Sequence, residues 1–128
     1  MQSQNRGPDW LKQAKADLRY ATAAPRDGFF AQTCFICQQA AEKALKSILY
    51  ARGARVVLSH SLHRLCDEVA IDGDLLQAAR ILDQYYITAR YPDALAEGTP
   101  DEVFTVEQAR TALGHGQAFV AKAEGLVS

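Results

Sequence analysis

Arg110-Thr-Ala-Leu-Gly-His115 places a guanidinium and an imidazole with four residues between them. Arginine can hold a phosphate and histidine can move protons, together the minimum for cleaving RNA through its 2′-hydroxyl. Residues five apart on a regular helix point roughly 140° from each other. These two therefore fall on opposite flanks of an apolar stripe, and one chain converges them only through a distortion at Gly114 or Gly116. Cys34-Phe-Ile-Cys37 has the form of a redox or metal pair. Redox thiols gain a low pKa at a helix N-terminus, whereas this pair sits inside a long apolar pattern. A zinc site with His60-Ser-Leu-His63 fails on spacing. The cysteines are expected to be small buried hydrophobes, with no metal and no cofactor.

Tyr85-Tyr-Ile-Thr-Ala-Arg-Tyr-Pro92 is denser in polar-tipped aromatics than a core helix needs. Asp83 and Arg90 lie two turns apart on one face of that segment. Together with Gln38, Glu42, Lys46 and His60 they can frame a phosphate or base pocket. Lys46, His60 and Arg90 are the expected ligand-binding residues. In the competing account Arg90 is bonded to Asp83 and Glu42 and leaves no charge for a ligand.

These groups need elements to hold them. Residues 28–53 contain no proline, end at a glycine suited to a helix C-cap, and are rich in alanine, leucine, lysine and glutamine. They predict a helix on the order of 35 Å long. On its wheel Cys34, Cys37, Ala41, Ala44, Leu45, Ile48 and Leu49 share an arc. Gln38 falls inside that arc, so its amide must be buried and hydrogen-bonded. Gln39, Glu42 and Lys46 line the arc's edge. Trp10, Leu11, Ala14, Leu18 and Ala21 repeat at helical spacing after Pro8, and Ala-Pro-Arg-Asp-Gly (24–28) breaks that helix into a hairpin. Val56-Val57-Leu58 has no strand to pair with and reads as loop. Ser59 or Ser61 can cap a short helix with Leu62, Leu65, Cys66 and Val69 inward. Asp74 is expected to cap a further helix that ends near Arg90-Tyr91, before Pro92. Residues 92–104 read as the longest loop. Thr105-Val-Glu-Gln108 matches a capping box that opens the last helix. The sum is an all-α antiparallel bundle of four main helices plus one short helix.

The chain has 128 residues, 48% hydrophobic and 23% charged, and its net charge of −1 lacks the overall basicity of a nucleic-acid binder. Three cysteines, no signal peptide and no long apolar span suit a cytoplasmic protein that does not enter a membrane. The charge is unevenly spread. Residues 43–64 hold Lys43, Lys46, Arg52, Arg55 and Arg64 with no acid, while residues 67–107 hold ten acids against Arg80 and Arg90. Such asymmetry suits anion binding or charge-steered pairing. Tyr20, Phe29 and Phe35 lie off the main stripes and predict self-association.

Three blocks carry a resemblance. They are Gln38-Gln39-Ala40-Ala41-Glu42-Lys43-Ala44-Leu45-Lys46, then Ser59-His60-Ser61-Leu62, then Leu82-Asp83-x-Tyr85-Tyr86-x-x-x-Arg90-Tyr91-Pro92-Asp93. With Trp10, Ala14, Asp17, Leu18 and Ala21 before them and Phe104-Thr105 after, the chain resembles the HEPN family (higher eukaryotes and prokaryotes nucleotide-binding). The resemblance implies one HEPN-like helical domain over 1–128, often a homodimer, in a small prokaryotic protein frequently encoded beside a minimal nucleotidyltransferase. It implies a nucleotide-binding or partner-binding module, working with that nucleotidyltransferase in a toxin–antitoxin-like pair. The family's catalytic branch is a metal-independent ribonuclease with an Arg-x4–6-His motif, and only Arg110 and His115 satisfy that spacing here. Active members usually have a more strongly polar residue after the arginine, where this chain has Thr111. The Arg-Tyr-Pro type looks more like the noncatalytic branch. A ribonuclease toxin using Arg110 and His115, with RNA as substrate, is the alternative.

Overall fold

In a computed structural model, residues 5–127 are described and no strand occurs among them. Helix α1 runs Gly7–Ala23 and opens with Asn5 Oδ1 accepting the Gly7 N–H at 2.9 Å, with Pro8 in its first turn. A 3₁₀ turn, Ala24–Asp27, and Gly28 at φ 84° reverse the chain into α2, Phe30–Ala51. The left-handed φ explains why a glycine stands at that corner. The two helices approach closely. A Cβ on Gly7 would lie 2.8 Å from the Ser47 carbonyl oxygen and 2.9 Å from the Ala51 Cβ. At the other end of the hairpin Thr33 Oγ1 donates to the Ala21 carbonyl at 3.3 Å. These contacts make α1 and α2 antiparallel.

Small residues fill the seam: Ala14 and Ala21 of α1 and Ala40 and Ala44 of α2 are all buried. The last helix, α7 (Val106–Leu126), packs on both and buries Ala109, Ala112, Gly116, Phe119, Val120 and Ala123. Thr105 and Gln108 form the expected capping box at its start. Gly116 faces Cys37 and Leu18, where a Cβ would meet atoms at 3.5 and 3.3 Å, so this glycine serves close packing.

The remaining elements lie against α2. Helix α3, Leu62–Val69, is capped by Ser61 and turns its four apolar residues inward. Helix α4 spans Gly73–Asp83, with Asp72 at its N-cap position and no side-chain cap bond. Asp74 is therefore in the first turn of this helix, which begins two residues before the expected start. The predicted run to Arg90 is interrupted: the Gln84 N–H bonds the Ile81 carbonyl at 3.2 Å, three residues back, and α5 (Tyr85–Thr88) follows. The segment read as a long loop holds a 3₁₀ turn, Pro92–Ala94, and one helical turn, α6 (Pro100–Val103). Thr99 and Glu102 give α6 its own capping box, with Pro100 as its first residue.

Buried side chains from all the longer helices join one core, with Leu45, Ile48, Leu62, Leu65, Leu82 and Phe119 as its large members. Cys34, Cys37 and Cys66 are free and fully buried in it. Burial pushes the first two thiols up to about 12 and the third to about 11. They stay protonated at neutral pH and act as small hydrophobes. No group of histidine, cysteine and carboxylate residues suited to a metal occurs among the described residues. No helix there is long and apolar enough to cross a membrane.

Candidate functional site

Helix α2 sets polar groups into its buried face at four-residue intervals. Gln38 is 0% exposed; its amide donates to the His60 carbonyl at 3.1 Å and its oxygen accepts from Gln39 at 2.7 Å. One turn on, Glu42 is buried and holds two partners, Lys46 Nζ on one oxygen and His60 Nδ1 on the other, each at 3.1 Å. Lys46 is equally buried, with its ammonium 5.6 Å from the Trp10 ring centroid. Helical periodicity put Glu42 and Lys46 at the edge of the arc. The structure covers them with side chains from elsewhere, Trp10 over Lys46 and His60 against Glu42.

His60 lies in the stretch between α2 and α3. Its side chain is 57% exposed and its ring stacks on Tyr86 at 5.3 Å and 19°. Tyr86 belongs to α5, and the same ring takes the guanidinium of Arg90, whose Cζ lies 4.6 Å from the centroid. Phe35 at 4.5 Å and Tyr91 at 5.0 Å complete an aromatic enclosure around that cation. Arg90 Nε donates to the Tyr86 carbonyl at 2.7 Å, which fixes the plane of the guanidinium. Among the described residues no carboxylate pairs with Arg90. The account in which Asp83 and Glu42 neutralise it does not describe this molecule.

Asp83 is committed elsewhere. Its carboxylate accepts the backbone N–H of Leu62 at 2.8 Å and of His63 at 3.2 Å, and its Oδ2 lies 3.0 Å from His63 Nδ1. It caps α3 from across the fold, alongside Ser61. Ser61, His63 and Asp83 superficially resemble a hydrolytic triad. Ser61 Oγ, however, also meets His63 at Nδ1, at 3.0 Å. A triad needs the serine and the acid on opposite ring nitrogens, so no proton relay can run here. Sequence reasoning missed His63 and Asp83 as a pair because they join two helices through a long-range contact.

Of the three expected ligand residues, His60 and Arg90 both pack on the Tyr86 ring; His60 and Tyr86, with Ser61, His63 and Asp83, line a concavity of about 250 Å³, and Arg90 is not part of that lining. Lys46 is linked to them through Glu42 but is neutralised and out of reach of a ligand at that surface. The terminal N–H groups of Arg90 and the Nε2 of His60 make no hydrogen bond among the described residues.

Arg110 and His115 do not converge within the chain. Helix α7 is continuous through Gly114 and Gly116. Arg110 is 70% exposed and pairs with Glu107 at 3.0 Å. His115 is half-buried, its Nε2 is buried without a hydrogen-bond partner among the described residues, and desolvation lowers its pKa.

Residues 8–126 match the family model described as the HEPN domain. No curated protein matches the chain. Solved structures do. A protein of Thermus thermophilus is 41% identical, with 97% of this chain and 100% of that one aligned at a TM-score of 0.91. An archaeal HEPN homologue is 34% identical over 98% and 100%, at 0.84. A HEPN domain protein of Thermotoga maritima is 28% identical over 92% and 96%, at 0.72.

Proposed function

The chain belongs to the HEPN family, and from that premise we propose that it is a nucleotide-binding or partner-binding module whose anion site is built on Arg90 and His60. The observation that carries the reading is the Arg90 guanidinium, enclosed by Phe35, Tyr86 and Tyr91 with no carboxylate against it among the described residues. An arginine held flat by rings and by one backbone bond has already lost much of the freedom a ligand would otherwise have to remove. Its remaining donors suit a phosphate, and His60, packed on the same Tyr86 ring, adds a second donor when protonated. Lys46 supports the site from behind, by fixing Glu42 and through it His60. The module works as a homodimer in a prokaryotic cytoplasm, with a minimal nucleotidyltransferase as its protein partner in a toxin–antitoxin-like pair. Tyr20 at 57% and Phe29 at 46% exposure supply apolar area for self-association. Sedimentation at micromolar concentration is expected to give a dimer, and a clean monomer would refute that part.

The site is tested by titrating AMP while following the His60 ring by NMR. In the wild type the His60 signals are expected to shift, and in Arg90→Ala affinity is expected to fall on the order of tenfold, the worth of one charge-assisted contact. His115→Ala is expected to bind as the wild type does. Unchanged AMP affinity in a folded Arg90→Ala variant would defeat the site.

One observation favours a second reading. The His115 Nε2, desolvated and without a hydrogen-bond partner among the described residues, favours the neutral imidazole that a general base requires, and Arg110 is 70% exposed and open to another copy. RNA cleavage by the purified protein that disappears in His115→Ala would establish an endoribonuclease and displace the noncatalytic reading.

A further inference from the structure

A concavity larger than the one at Tyr86 lies elsewhere on the molecule. It is a groove of about 630 Å³ where the start of α1 meets the end of α2, and it is lined by Arg6, Trp10, Lys43, Tyr50 and Arg55, with Asp9 and Gln13 at its side. A neighbouring concavity of about 430 Å³ shares Arg6, Tyr50 and Arg55 with it. The larger volume lies within the range of small-molecule sites, roughly 300–1,000 Å³.

Its walls combine two chemistries. Trp10 and Tyr50 stack at 5.3 Å and 18°, forming a double-ring platform. The platform is held in place: the Val57 N–H donates to the Tyr50 hydroxyl at 3.1 Å, and the buried Lys46 ammonium lies against Trp10. Three cations and one carboxylate line the groove. Lys43 is taken by Asp17. Arg6 is paired with Asp9 at 2.9 Å, but both side chains are more than half exposed, so the pair is weak and exchangeable. Arg55 has no ion pair and no hydrogen bond among the described residues. It follows the Gly53 turn, which sends the chain back across the end of α2. The acid-free run from Lys43 to Arg64 thus places an uncommitted arginine at this groove, on the side of α2 that also carries Tyr50.

We propose that this groove is a second ligand site, separate from Arg90, that takes a phosphomonoester joined to a planar ring. The phosphate sits between Arg55 and Arg6, with Arg6 leaving Asp9, and the ring lies on the Tyr50 side of the platform. Two sources share that chemistry, a free nucleoside monophosphate and the 5′-phosphorylated end of a single-stranded RNA. Bases stack on aromatic side chains without sequence preference, so the platform suits either.

Trp10 is the chain's single tryptophan, which makes its emission a reporter for this groove. The full-length protein is titrated with AMP, adenosine, a 5′-phosphorylated oligoadenylate and its 5′-hydroxyl counterpart. AMP or the phosphorylated oligonucleotide is expected to change Trp10 emission saturably, and the tighter of the two identifies the source. Arg55→Ala, at an exposed position without a partner among the described residues, is expected to weaken that response on the order of tenfold, as for one lost charge-assisted contact. Arg90→Ala is expected to leave it unchanged, so failure here and failure at the His60 reporter are separable. The proposal is overturned by no saturable response to either phosphorylated probe, by equal responses with and without the phosphate, by full affinity in folded Arg55→Ala, or by loss of the response in folded Arg90→Ala.

Discussion

Replacing Glu42 by glutamine keeps the shape of the side chain and removes its charge. Lys46 then remains buried with no counter-ion among the described residues, since Glu42 is its one ion-pair partner there. Removing one member of a buried pair costs about 3–5 kcal/mol, because the surviving charge is left in a poor solvent. The Trp10 ring 5.6 Å from the ammonium offsets part of this, about 0.5–2 kcal/mol for a cation over an aromatic face. A net loss of about 1–4.5 kcal/mol follows, set against a total stability of about 5–15 kcal/mol for a domain of ordinary size. At roughly 3–4 °C per kcal/mol, the thermal midpoint is expected to drop by about 3–18 °C. Chemical denaturation monitored by circular dichroism gives the free energy directly, and the loss is expected to persist in high salt, because a buried charge is poorly screened. Glu42→Leu with Lys46→Met is expected to recover most of the loss, since an apolar pair of similar volume often matches a buried ion pair. His60, which loses its Glu42 contact in the double variant, is exposed enough to turn to water. A Glu42→Gln variant within about 1 kcal/mol of wild type would show that the Lys46 ammonium reaches water and is not trapped.

Ala70 closes α3 at φ 62° and ψ 42°, a left-handed conformation that costs a residue with a Cβ about 1–2 kcal/mol. Ala70→Gly is expected to raise stability by about 0.5–1 kcal/mol after the larger chain entropy of glycine is counted, and a lower denaturation midpoint would refute it. The three buried thiols, raised to about 11–12, are expected to resist a disulfide reagent in the native protein and to react together on unfolding; rapid labelling of folded protein at neutral pH would contradict their burial. His115 binds a proton less readily folded than unfolded, so its contribution makes stability rise with pH up to about its ordinary value of 6.5 and stay level above. The stability difference between wild type and His115→Gln is therefore expected to move in favour of wild type as pH climbs through that window, and a pH-independent difference would show that the imidazole is solvated.

Helix positions were legible wherever local signals repeated a tertiary demand. Pro8 at the entry to α1, Ser61 before α3 and Thr105 before α7 are local chemistry that acts over a few residues, and the apolar periods of α1 and α2 agree with the core they fill. Gln38 was readable as buried because its wheel position admits no other outcome. Glu42 and Lys46 were not, since a wheel knows nothing of Trp10 and His60 arriving from other elements. The same limit hid Asp83, whose cap on α3 spans about twenty residues of chain and diverts it from Arg90. Thr99-Pro100-Asp101-Glu102 is a different case. Its capping box was present in the letters, and a run of loop-forming residues on either side obscured a helix one turn long. His60 and Arg90 were found as candidates, whereas their shared contact with Tyr86 depended on the break at Gln84, which no local pattern announced.

The alanine seam between α1 and α2 has a mechanical consequence. Alanine has no side-chain rotamers to exchange, and Gly7 sits so close to the Ser47 carbonyl that the two backbones gauge each other's distance directly. Helices joined in this way have no alternative packing to switch into, so the pair behaves as a stiff plate. Whatever happens at Tyr86 or at Trp10 cannot be relayed by sliding one helix past the other. The two faces are instead connected by charge, along His60, Glu42, Lys46 and Trp10, a line of contacts that runs up α2 without requiring the plate to bend. Shape adjustment is left to the connections at 52–61 and 89–99, the stretches that carry Arg55, His60 and Arg90.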